Sequence, residues 1–285
     1  MKTILIPIDL SSRSYHTAHF GLELAHQLGG SVLLLHVVHP SPSAPSLSIP
    51  MVEMDSDSRK SSSYDQLTTD LQHFEDELND YRREAGMLDV KISSRMVVGQ
   101  PVEAILEVAH SEHPAFVVMG TVGASNAWDK MVGSVSSAVA QEVRRPLWIL
   151  PNATRLNTLR KFAYFAELAG SEVSCIDQVL DLGEKLRARV NVVHVSPVEE
   201  EDFLEAEAIT EMFEVSYAAK RITFQNLMFD TVADGIETYV KLHWPDAVVL
   251  AHRDWGMVAR LFHRSAIRQL ALTTRRPLLI LQKQN

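Results

Sequence analysis

Residues 32–37 read VLLLHV and residues 190–195 read VNVVHV, an offset of 158. Carried back without a gap, that offset pairs Asp9 with Glu167, Leu10 with Leu168, Leu24 with Leu182 and Leu28 with Leu186. A second ungapped register relates residues 144–150, RRPLWIL, to residues 275–281, RRPLLIL, at an offset of 131. It also pairs Val117-Val118 with Val248-Val249 and Pro114 with Pro245. The chain therefore contains one architectural unit twice. The offsets differ by 27 because the first copy has the longer middle. The Ser- and Pro-rich stretch 39–63 accounts for the extra length, and its composition favours a loop. Domains are expected at 1–152 and 158–285, with the boundary between Pro151 and Leu159.

Within each copy, apolar runs alternate with amphipathic stretches. In the first, ILIPID is followed by a helical pattern over 12–28 with Ala18, Leu22, Ala25 and Leu28 on one face. VLLLHVV follows as a strand, then a helix from Tyr64 to Ala85, then the strand VKISSRMVV. Pro101 opens a helix carrying Ala104, Ile105, Val108 and Ala109, and FVVMG and PLWIL flank a helix from Ser134 to Val143. Apolar runs without alternation suit parallel strands buried on both faces. Strands joined by helical crossovers imply an α/β fold with a doubly wound parallel sheet in each copy. Such sheets bind ligands beyond the carboxyl ends of their strands, where strand order reverses. Asp9 and Gly120 end the first and fourth strands and are expected at that edge, although pattern alone does not fix the strand order.

Bulk properties narrow the function. The 285 residues carry a net charge of −9, so no basic footprint for nucleic acid or an anionic membrane exists. No apolar run approaches the ~20 residues that span a bilayer, and the N-terminal apolar stretch is interrupted by Pro7 and Asp9. Cys175 is the single cysteine, which fits a reducing compartment, and a cytoplasmic location is expected.

After the fourth strand the chain reads MGTVGASNAWDKMVGSVSSAVAQEV: Gly120, two residues, Gly123, nine residues, Gly133, then Ser134. Glycine at 120 allows a tight exit from the strand and close approach of a ligand. Gly133-Ser134 opens a helix whose first N–H groups lack intrahelical partners, which makes an anion site. Ordinary turn glycines and an ordinary Ser cap would leave the same spacing. Neither GxxxxGK[ST] nor GxGxxG after the first strand is present, which disfavours P-loop enzymes and dinucleotide dehydrogenases.

The first copy resembles the ATP-binding type of universal stress protein. The matching residues are Pro7-Ile8-Asp9, LLLHVV, Val98-Gly99-Gln100-Pro101 and the full G-x2-G-x9-G-S pattern ending in Val135. The resemblance spans both copies and implies tandem five-stranded domains of the adenine-nucleotide alpha-hydrolase type. It places Asp9 near ribose and adenine, with Pro7 and Ile8 lining the same pocket. Val37 would present backbone to adenine and Met119 would pack near it. Gly120, Gly123, Gly133, Ser134 and Val135 would hold the phosphates, with Thr121 departing from the basic or histidine residue often found there. A magnesium ion on the phosphates is compatible with this, although no carboxylate cluster dedicated to a metal is visible. The family often pairs domains through their last strands, so PLWIL and PLLIL would make an intrachain pseudo-dimer; a homodimer of whole chains stays open.

In the second copy Gly120 becomes Ala251, Gly123 becomes Asp254 and Gly133 becomes Arg264; only Ser134 keeps its type, as Ser265. Asp9 becomes Glu167 and Pro7 becomes Phe165. Side chains at the glycine positions obstruct close approach and an acid repels phosphate, so this half reads as a degenerate copy. Arg253, Arg260, His263 and Arg264 read as a solvated basic face more readily than as a site for another anion. His36 with His39, and His110 with His113, have a spacing open to metal but no further ligands nearby. Cys175 reads as a packed thiol. The leading expectation is an ATP-binding stress or signalling module with protein partners. A slow ATPase and a non-nucleotide interaction protein are the alternatives, and no catalytic base, nucleophile or arginine finger can be named.

Overall fold

The inner apolar runs form strands buried on both faces, whereas residues 91–98 and 222–229 form edge strands that stay partly exposed. The computed structural model describes residues 2–39, 62–121, 134–151, 154–166, 173–197, 211, 215, 222–252 and 276–282. They fall into two compact units, one reaching Arg155 and the other starting at Leu156. The first contains β1 (Lys2–Ile8), α1 (Ser12–Leu28), β2 (Gly30–Val38), α2 (Ser62–Glu84), β3 (Lys91–Val98), α3 (Pro101–Ser111), β4 (Phe116–Gly120), α4 (Ser134–Glu142) and β5 (Leu147–Leu150). Its strands are parallel in the order β3-β2-β1-β4-β5, the doubly wound order that the sequence pattern could not fix. The chain moves outward from β1 in one direction to β2 and β3, then crosses to β4 and β5. The switch point therefore lies between β1 and β4.

The second unit contains β6 (Lys161–Ala166), α5 (Val173–Leu186), β7 (Arg189–Pro197), β8 (Ile222–Phe229), α6 (Val232–His243), β9 (Ala247–His252) and β10 (Leu278–Gln282). Its parallel order is β8-β7-β6-β9-β10, the same topology. Cys175 is fully buried in α5, as a packed thiol should be.

Local chemistry explains the elements. Helix α1 spans the expected residues and buries Ala18, Leu22 and Ala25, spaced by four and three along one face. Phe20 on the same helix meets Trp148 of β5 edge to face at 5.5 Å. Pro101 occupies the start of α3, where its missing N–H costs nothing. Residues 40–61 of the Ser/Pro-rich insertion lie outside the described residues. Helix α2 begins at Ser62, two residues before the expected Tyr64, so Ser62 and Ser63 are helical rather than part of the loop.

The repeat is visible in backbone detail. Gly29 ends α1 in the left-handed region at φ 63, and its N–H bonds the His26 carbonyl at 3.2 Å. At the equivalent place after α5, Arg187 has φ 54 and bonds the Glu184 carbonyl at 3.1 Å. Likewise His113 and Trp244, each preceding a proline, have φ 48 and 50. The turn geometry is kept even where glycine is not, and a side chain there costs about 1 kcal/mol. Arg187→Gly should therefore stabilise the second unit by about 1 kcal/mol and Gly29→Arg should destabilise the first by a similar amount. Urea midpoints for the two variants, compared with the native chain, check both signs.

Candidate functional site

At the switch point β1 stops before its neighbour does. The last pair of the β1–β2 ladder is Ile8 with His36, whereas β2 continues against β3 as far as Val38 with Val98. Beyond Ile8 the chain turns away through Leu10, held at φ 58. A leucine in that region is strained, and such strain gathers where the surroundings dictate the turn. The turn leaves part of the β2 edge bare. Val38 spends its carbonyl on the N–H of Gly99 at 3.1 Å, on the β3 side. Successive peptide groups of a strand alternate in direction, so the Val37 carbonyl faces the side that β1 has vacated.

His36 fastens this corner. Its imidazole is buried, and Nδ1 lies 3.1 Å from the Ile8 carbonyl. A carbonyl only accepts, so Nδ1 carries the proton. The spacing of His36 and His39 invites a metal reading, but His36 acts as a strand clasp. Among the described residues no group of three or more His, Cys, Asp or Glu gathers to hold an ion. The second unit has the same clasp: His194 Nδ1 lies 2.8 Å from the Ala166 carbonyl.

The carboxylate of Asp9 is organised by the start of α1. Its Oδ1 accepts from the Ser11 N–H at 3.0 Å and from the Ser11 and Ser14 hydroxyls at 2.5 Å each. The Asp9 N–H in turn donates to Ser14 Oγ at 3.1 Å. Partial loss of water pushes the carboxyl pKa up, but the bonds from the Ser11 and Ser14 hydroxyls and the main-chain N–H groups outweigh it. The net position is below the ordinary 3.8. Asp9 is thus an anion at neutral pH, an acceptor only, with Oδ2 outside this network.

A cleft of about 320 Å³ opens here, within the size range of small-molecule sites. Pro7, Ile8, Asp9, Val37, Met119, Gly120, Thr121 and Val135 all line it. Ser134 is the first residue of α4. Gly123 and Gly133 lie outside the described residues, as do Asp254, Arg264 and Ser265 of the second copy. A Cβ at Gly120 would stand 2.8 Å from Thr17 Oγ1, so any larger residue would force this buried side chain of α1 to shift. Its carbonyl accepts from Ser136 Oγ at 2.9 Å, which ties the start of α4 to the end of β4.

Sequence reasoning did not single out several residues of this cleft: Ser11, Arg13, Ser14, Thr17, Ile105 and Ser136. One signal was available. Serines two and five residues after an aspartate, at the start of an amphipathic helix, are the chemistry of a capped carboxylate.

The folded-state pKa of Asp9 is depressed, so its contribution to stability is fully present above about 3.8 and is lost as pH falls through the lower folded value. Ser14→Ala should raise the Asp9 pKa toward 3.8 and cost about 1 kcal/mol at pH 7. A carboxyl NMR titration and urea unfolding at pH 7 and pH 3 check this: the variant should lose less stability on acidification than the native chain.

In the second unit the same corner is covered. Val195, equivalent to Val37, is 6% exposed and Phe165, equivalent to Pro7, is 8% exposed. Phe165 packs edge to face on Tyr239 of α6, with ring centroids 5.6 Å apart. Val37 and Pro7 are only half-buried.

Comparison with known proteins agrees with this architecture. A universal stress protein of Methanocaldococcus jannaschii is 26% identical over 149 residues, 52% of this chain and 81% of that relative. The solved structure of a universal stress protein from Archaeoglobus fulgidus superposes with a TM-score of 0.68 at 16% identity, covering 99% of this chain and 97% of the other. A putative universal stress protein from Pseudomonas aeruginosa gives 0.63 at 15% identity, covering 99% and 93%. Both structural likenesses concern the fold. The sequence model of the universal stress protein family matches residues 1–151, and the chain belongs to that family.

Proposed function

We propose that the cleft of the first unit binds ATP and that the protein works as a nucleotide-dependent stress or signalling module. The observation that supports this most is convergence. Residues distant in sequence, from Pro7 to Val135, surround one opening at the switch point of the sheet. The chemistry suits an adenine nucleoside. The vacated Val37 carbonyl can accept from the adenine amino group, while Pro7, Leu35, Pro101, Ile105 and Met119 offer apolar walls for the ring. Ionised Asp9 can accept from ribose hydroxyls. The phosphates would meet the amides at Gly120 and at Ser134, the start of α4, with Gly123 and Gly133 assigned from the sequence spacing and the family resemblance. A magnesium ion would arrive on the phosphates and keep several waters, since it binds through few protein groups.

The reading favours sensing over turnover. Asp9 is the carboxylate of the cleft, and its depressed pKa makes it a poor base for activating water. The covered corner around Phe165 and Val195 supports treating the second unit as a degenerate copy, so one nucleotide per chain is expected.

Mass analysis of ligand released from the purified chain, followed by calorimetric titration with ATP, tests the proposal. The expected result is adenine nucleotide, bound one per chain. Asp9→Ala should weaken binding about tenfold, the value of one lost hydrogen bond to a charged group. Gly120→Val should weaken it further by closing the opening. Failure of the native chain to bind any adenine nucleotide would overturn the assignment.

A further inference from the structure

We propose that Arg13 is the residue with which this cleft reads phosphate charge. The proposal rests on the adenine-nucleotide reading above and adds a ligand that the glycine-loop pattern does not contain. A triphosphate brings several negative charges, whereas the amides assigned to it are neutral and Thr121 carries no charge. Among the described residues lining the cleft, Arg13 alone bears a permanent positive charge.

Two observations converge on it. First, the guanidinium is exposed and has no ion pair among the described residues. The nearest carboxylate along the chain, Asp9, is already engaged by Ser11 and Ser14. Second, Arg13 stands where a cation harms the helix. It lies in the first turn of α1, at the positive end of the macrodipole, and that turn contains no acidic residue. The N-cap Ser11 gives no side-chain bond to the helix amides either, because its hydroxyl is turned to Asp9. Stability does not account for an arginine in this position. Arg13 and the free amides at the start of α1 form a second anion-attracting side of the cleft, separate from the α4 side. An arginine can bond two phosphate oxygens at once, which a neutral loop cannot match.

The experiment compares the native chain, Arg13→Ala and Arg13→Lys in calorimetric titrations with ATP and with adenosine, at several salt concentrations. Arg13→Ala should weaken ATP at least tenfold, leave adenosine within twofold and flatten the salt dependence of ATP binding. Arg13→Lys should retain the salt dependence and recover part of the affinity. The apo melting temperature of Arg13→Ala should stay equal or rise, since an unfavourable helix charge is removed. Unchanged ATP affinity in Arg13→Ala, or equal losses for ATP and adenosine, would overturn the role of Arg13 while leaving the nucleotide reading intact. A native chain that binds neither compound would sink both.

Discussion

The early end of β1 is the constraint on which the cleft depends. Strand β2 runs on to Val38 while β1 finishes opposite His36, so the ladder between them opens at this corner. An unpaired main-chain carbonyl is costly when buried and useful when a ligand can reach it. The left-handed turn at Leu10 and the imidazole clasp from His36 to the Ile8 carbonyl hold that corner open in a defined shape. The turn also delivers the chain directly into α1, so Asp9, Ser11 and Ser14 form the end of the strand and the start of the helix together.

The Asp9 network serves two purposes through the same atoms. Ser11 and Ser14 fix one carboxylate oxygen and keep the group ionised. Preorganisation of this kind lowers the ordering cost that a bound ligand would otherwise meet. It also consumes the side chain that would ordinarily cap α1, leaving that helix end uncompensated. The site is thus built from local compromises, a strained leucine and an uncapped helix start, carried by a buried sheet whose core residues approach zero exposure.

Much of this was legible in the sequence, for physical reasons. Buried parallel strands must be continuous apolar runs, so VLLLHV announced β2, and the apolar face of Ala18, Leu22, Ala25 and Leu28 marked α1. Strand order was not legible, because every inner parallel strand shows the same apolar pattern whichever neighbour it has. Met119 and Gly120 were readable as a strand exit, and their meeting with Pro7 and Val37 needed the order β2-β1-β4 to be known. Arg13 escaped notice because an arginine on a helix reads as solvated surface until the wall it belongs to is drawn. Residues Gly123 and Gly133 lie outside the described residues, so their part stands on spacing and resemblance.

The second unit separates what the fold requires from what the site requires. It keeps the strand order, the left-handed helix exit at Arg187, and the histidine clasp between His194 and Ala166. It also keeps a β7 longer than β6, so the geometric opening is inherited. What changes is the occupant. An aromatic ring at 165 in place of Pro7 brings apolar area to the corner and finds Tyr239 at right angles, an arrangement that stabilises by about 1 kcal/mol beyond burial alone. Phe165 is buried at the position where the first unit has the half-exposed Pro7 on the cleft wall. The topology thus gives both units the same staggered strand ends, and the side chains at the rim, Pro7 in one and Phe165 in the other, set how much of that corner is covered.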